Sequence, residues 1–277
     1  MYGKEKLLLL LFIFLNTIIL SNLNASNDIF PTGGKSTAMA GASVTNRDIW
    51  SAFNNQAGLT GIRNVSAGII YENQFLLNEL STKAGVFALP VNTGTFALSF
   101  SQFGFNLYNE NKVGLAYAMP LSRRFSASVQ IDYLMTQLAE DYGRTGLLTF
   151  EIGLLAKLSE KMYMGAHIYN PARVKLTDYV EEKTPTYFSF GMTYIFSKYV
   201  NVVAETEKDI NYKPVFKLGV EYEFAKNIYV RTGLASNPSI FAFGFGVNMK
   251  NLKIDFGTSR HNVLGYSPAL SLMYSFK

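Results

Sequence analysis

The sequence contains no cysteine, which removes disulfides, thiolate metal sites and cysteine nucleophiles together. It has one tryptophan and two histidines, His167 and His261, which fall in separate segments without metal-ligand spacing. Charged residues make up 16% of the chain, well below the ~25% usual in soluble globular proteins. The formal charge is +5, but the bases are scattered, and no basic stripe interleaved with aromatics is present to hold nucleic acid. After Leu20 no apolar run approaches the roughly 18–20 residues that a membrane helix needs. No Gly-x-Ser-x-Gly elbow or His-Glu-x-x-His helix occurs. Gly34-Lys35-Ser36 ends like a phosphate loop, yet Ile29 stands where that loop needs its first glycine. These absences argue against an enzyme, and no residue pattern implies a cofactor.

What is present begins with a targeting signal. Lys4 and Lys6 precede an almost unbroken apolar run from Leu7 to Leu20, and Leu23-Asn24-Ala25 resembles a cleavage site. This three-part layout predicts a secretory signal peptide over residues 1–25, with a mature chain starting near Ser26. Residues 26–63 are small and polar, without period-two alternation; short helices are expected within Ser36–Ala42 and Asp48–Phe53.

From Asn64 to the C-terminus the pattern changes to alternating segments of about ten residues, each closed by a turn signal. In Tyr187–Phe196 one face carries Phe188, Phe190, Met192, Tyr194 and Phe196, the other Tyr187, Ser189, Gly191 and Thr193. Val215–Phe224 and Ile240–Met249 divide in the same way, and none of the three shows the 3.6-residue period of a helix. Fourteen strands are predicted, joined alternately by short turns and mostly longer loops. An even count with short turns at one end is the layout of a bacterial outer-membrane barrel. A soluble sandwich would also alternate, but a closed ring of this many strands is too wide for side chains alone to fill. The final strand ends in Leu270, Leu272, Tyr274 and Phe276 on one face, similar to the C-terminal signal of such barrels. The expected fold is therefore all-β: a transmembrane antiparallel barrel over residues 64–277, with residues 26–63 as a hatch inside the lumen.

Gly41-Ala42-Ser43-Val44, followed by Asn54-Asn55-Gln56-Ala57-Gly58-Leu59, resembles the N-terminal hatch of the FadL-type outer-membrane family. The hatch motif residues are Gly41, Ala42, Asn54, Asn55, Ala57 and Gly58; Gln56 stands where that family usually has proline. The resemblance implies a fourteen-stranded barrel plugged by its N-terminal segment. Among its branches the compact PorV/PorQ-type proteins are the most similar, some of which serve type IX secretion. That implies a non-enzymatic accessory or structural partner in protein secretion or envelope assembly, in contact with outer-membrane lipid and with other envelope proteins. The alternative is a transporter of hydrophobic small molecules, which would bind a hydrophobic ligand. A lateral opening over an apolar pocket beneath the hatch would favour transport; a closed, polar lumen would favour the partner role.

The inward faces carry an unusual set of charges. Glu205, Glu207, Lys217, Glu221, Glu223, Arg231, Lys253 and Asp255 fall on consecutive predicted strands, with Asp132, Glu151 and Lys157 elsewhere. They are expected either to line a polar path or to form ion pairs that hold the hatch, with Lys35, Arg47 and Asp48 as partners. His167 is expected to hydrogen-bond into the lumen.

Overall fold

The computed structural model describes residues 32–138, 143–174 and 184–276. The predicted signal peptide lies outside the described residues. Fourteen antiparallel strands close into one barrel in sequence order, and the first strand pairs with the last. They are β1 Ser66–Asn73, β2 Ser81–Val91, β3 Gly94–Phe105, β4 Tyr108–Pro120, β5 Phe125–Leu138, β6 Arg144–Ser159 and β7 Met162–Tyr169. The second half comprises β8 Tyr187–Ile195, β9 Val200–Asp209, β10 Val215–Ala225, β11 Ile228–Ala235, β12 Ile240–Met249, β13 Leu252–His261 and β14 Gly265–Ser275. All fourteen expected strands are found, with ends displaced by a few residues. Closure gives every wall strand two hydrogen-bonded neighbours.

The pleat then decides which side chains meet lipid. Phe87, Leu98, Leu115, Ile131 and Phe150 lie directly opposite one another across β2 to β6, and all are exposed on the outer face. Phe188, Phe190, Phe243 and Phe245 continue this belt on β8 and β12. So continuous an apolar surface, far larger than the patches soluble proteins tolerate, is suited to hydrocarbon rather than water. At the short-turn end it terminates in exposed aromatics, among them Phe125, Tyr199, Phe224 and Phe276.

The inward faces are small. Ala84, Ala88, Ala97, Ala116 and Ala118 line β2 to β4, and glycines line much of β6 to β13. The space they leave is filled by residues 32–63, which pack against the wall and are mostly buried. This inner segment contains a helix α1 Gly34–Ala38, a single turn α2 Ser51–Asn54 and a 3-10 turn over Gln56–Gly61. Trp50 stacks on Phe53 with ring centroids 6.4 Å apart, and with Ile49, Leu59 and Ile62 they meet the alanine wall in one apolar cluster.

Candidate functional site: the lumen and its outer cavity

The inner segment is knitted first to itself. Asn54 exchanges two hydrogen bonds of 3.0 Å with the backbone of Thr32, and Asn55 donates to Val44 O at 2.7 Å. Asn55 also reaches the wall, donating to Leu154 O at 3.0 Å. Gly58 has no room for a side chain, since a Cβ there would collide with Asn46 O and the Ser51 hydroxyl. Gly41 turns the chain with φ of 80°, a left-handed conformation that suits glycine. Ala42 and Ala57 are fully buried.

On the β6–β13 side the segment touches bare backbone. Three directly opposed glycine pairs face inward: Gly165–Gly191, Gly219–Gly233 and Gly244–Gly257. A Cβ at these positions would meet Val44, Met39, Ala38 or Gly34 of the segment. Two ion-pair clusters seal the same side. Lys217 lies 3.3 Å from Glu205 and 2.9 Å from Glu207, while Glu205 accepts the N–H groups of Ser43 at 2.7 Å and Val44 at 2.8 Å. Arg231 bridges Glu221 and Asp255, each at 2.7 Å, and Lys35 of α1 reaches Glu221 at 3.1 Å.

A third cluster lies on β4 to β7. Lys112 pairs with Glu151 and sits 3.5 Å from Asp132. Glu151 also accepts from Gln56 at 2.6 Å and contacts His167 Nε2 at 2.7 Å; Gln130 links it to Asp132. Buried charges of this kind are tolerable only when every partner is present.

Beyond this cluster, toward the long-loop end, lies a partly enclosed cavity of about 80 Å³. Phe53 and Thr32 of the inner segment contribute to it, and Ile70, Phe103, Leu134, Met135 and Tyr169 supply its apolar wall. Glu72, Glu110 and Lys112 add polar groups.

The chain matches no protein-family model and no curated protein. Solved structures do match. The CymD monoaromatic hydrocarbon channel aligns over 91% of this chain and 99% of its own, with a TM-score of 0.69 and 13% identity. The Ralstonia pickettii toluene transporter TbuX aligns over 90% and 100%, with a TM-score of 0.70 and 12% identity. A Pseudomonas aeruginosa FadL homologue aligns over 89% and 98%, with a TM-score of 0.63 and 13% identity. The fold is that of the FadL-type outer-membrane barrels.

Within this FadL-type fold the charges expected from sequence are not all brought together. Glu205, Glu207, Lys217, Glu221, Arg231 and Asp255 meet as described. Glu223 stands apart: it lies at the short-turn end, where its carboxylate accepts the Asn227 N–H at 3.1 Å. Lys253 is half-buried, opposite Asn248 on one side and Met273 on the other. Lys157 pairs with Glu160 in the adjoining turn, at 2.7 Å. Arg47 donates to the Tyr163 hydroxyl, and Asp48 accepts the Trp50 N–H.

Lys112 is not among the charges expected from sequence, although it falls inside the strand predicted over residues 111–120. Its phase with the buried Ala116 and Ala118 was the available signal. The expected discriminating features are also divided. Among the described residues every wall strand pairs with two neighbours, with Arg144–Thr149 of β6 extending past the end of β7, and the apolar cavity lies on the long-loop side of the inner segment rather than beneath it.

Proposed function

We propose that this chain is a non-enzymatic outer-membrane protein that passes small hydrophobic molecules through its barrel. The observation that carries the reading is the cavity at the long-loop end. It is formed jointly by the wall and the inner segment, and most of its walls are apolar. Pockets of this kind, concave and greasy with a few placed polar groups, are the usual form of a small-molecule site. The titles of the similar structures, a monoaromatic hydrocarbon channel and a toluene transporter, support the same class of cargo. Transport therefore has support that the secretion-partner reading lacks.

In this proposal residues 1–25 are a cleaved export signal. Residues 32–63 form a plug, so that cargo passes by the cavity and not through an open pore. The ion pairs are then structural, fixing the plug to one side of the wall.

The test is uptake of radiolabelled toluene at limiting concentration, in cells lacking the protein and in cells complemented with it. Complementation should raise uptake several-fold, and Ser101→Trp, which places an indole in the cavity, should abolish the gain. Equal uptake in all three strains would reject transport and return the chain to the accessory role.

A further inference from the structure

Five of the six short turns carry exposed bases: Arg123 and Arg124, Lys161, Lys198, Lys226 and Lys250. Against them these turns hold one acid, Glu160, which Lys157 neutralises at 2.7 Å. At the long-loop end the described residues mix the signs, as Glu79, Lys208, Asp209 and Arg260 do. Short turns face the periplasm in barrels of this type, so the excess of cations lies at the inner leaflet.

Two of these turns frame a groove. β9 and β10 are neighbours, and the Glu223 N–H donates to Tyr199 O at 2.8 Å, which sets the β8–β9 turn beside the β10–β11 turn. Between them lies an open groove of about 470 Å³, with Lys198, Tyr199, Tyr222, Phe224 and Lys226 along it. Both turns are pinned. The Ser197 hydroxyl accepts the N–H groups of Tyr199 and Val200 at 3.1 and 3.2 Å. Asn227 adopts a left-handed φ of 65°, and its N–H donates to Glu223 at 3.1 Å. Glu223 has the inward phase of Glu221, so the acid beside the groove is turned from the lipid side and engaged in the turn. A bulge leaves Phe224 without an opposed residue on β11, and its ring is 69% exposed. The Lys198 ammonium sits 4.6 Å from the centre of the Tyr199 ring. The ion pairs among the described residues include neither Lys198 nor Lys226.

We infer that this groove binds an anionic phospholipid of the inner leaflet, with its phosphate between Lys198 and Lys226 and its upper acyl carbons against Tyr222 and Phe224. The direction of the opening favours a lipid over an acidic protein. Tyr199, Tyr222 and Phe224 belong to the exposed outer face, so the groove opens sideways into the bilayer, at the level where aromatic rings meet headgroups. A lysine there can lay its methylene stem along an aromatic wall while its ammonium reaches a phosphate. Free phosphate would meet the two cations but leave the aromatic walls uncovered. Each base beside an anionic headgroup strengthens binding about fivefold.

The test is native mass spectrometry of the delipidated full-length protein in a non-ionic detergent, with phosphatidylglycerol and phosphatidylcholine of the same acyl chains as probes. One phosphatidylglycerol should be retained about tenfold more tightly than phosphatidylcholine. Lys198→Gln combined with Lys226→Gln should lower that preference to about twofold or less. Arg123→Gln combined with Arg124→Gln removes the same charge from another turn and should leave the preference within about twofold of its original value. Heat-modifiable gel mobility checks that both variants keep the closed barrel, and excess inorganic phosphate should not displace the lipid. Equal retention of the two lipids would overturn the lipid site and leave the lysines to an acidic periplasmic protein. Equal losses in the two double variants would overturn it in favour of diffuse attraction to the whole rim. Displacement by inorganic phosphate would overturn it in favour of a plain anion site.

Discussion

The two sides of the lumen solve the same packing problem in opposite ways. Along β6 to β13 the wall is stripped to glycine, the inner segment lies against backbone, and ion pairs from four strands close on it. Along β1 to β5 the wall keeps alanines and larger apolar side chains, the segment presents Trp50 and Phe53, and a cavity remains toward the long loops. A glycine wall allows close contact but leaves nothing to shape a pocket. Directional polar contacts then fix the segment in one position. An alanine and aromatic wall packs without direction, so it can leave a space on one side without exposing unpaired polar groups. The difference teaches that the segment is anchored by one flank so that the other can remain partly unfilled.

The largest effect should come from abolishing both flanks together. Deleting residues 32–60 while keeping everything before them should raise single-channel conductance in planar bilayers well above that of the intact protein. A fourteen-stranded ring without its filling leaves a water-filled passage. Unchanged conductance would show that the segment does not occlude the barrel. Next comes the anchored flank alone. Arg231→Met leaves Glu221 and Asp255 buried without their shared cation and should cost about 3–5 kcal/mol in urea unfolding of the liposome-reconstituted barrel. A loss below about 1 kcal/mol would mean that these pairs do not hold the segment.

The smallest effect concerns the seam between the flanks. Gln56 opens the 3-10 turn, a position whose backbone geometry suits proline, and its amide donates to Glu151. Gln56→Pro should therefore keep the fold and lose that charge-assisted bond together with the longer bond of the same amide to Ala52 O, about 1.5–3 kcal/mol in the same unfolding measurement. A larger loss would place the strain in the turn itself.

Much of the wall was legible before any coordinates. Every strand must alternate, because the pleat sends successive side chains to opposite faces, and a barrel in lipid punishes any error of phase. Phe188, Phe190 and Phe243 could thus be assigned outward from their spacing alone. Some charge partners were also within reach, since Glu221 and Arg231, or Lys217 and Glu205, sit directly opposite on neighbouring strands. Others were not. Lys112 and Glu151 belong to β4 and β6, with β5 between them, and only the curvature of the wall brings them together. Glu223 shares the inward phase of Glu221 yet lies too near the turn to join the cluster.

By itself, the sequence determined the number of strands, the face each presents to lipid and the presence of a small-residue segment before the first strand. These follow from local periodicity and composition. The tertiary structure alone decided that the segment leans on the glycine side, that Gln56 meets Glu151, and that Tyr169, Glu72 and Phe103 surround one cavity. Those residues come from β7, β1 and β3, and their meeting depends on closure of the ring and on the volume the segment leaves unfilled. Closure and volume are properties of the whole barrel, and no local run of residues encodes them.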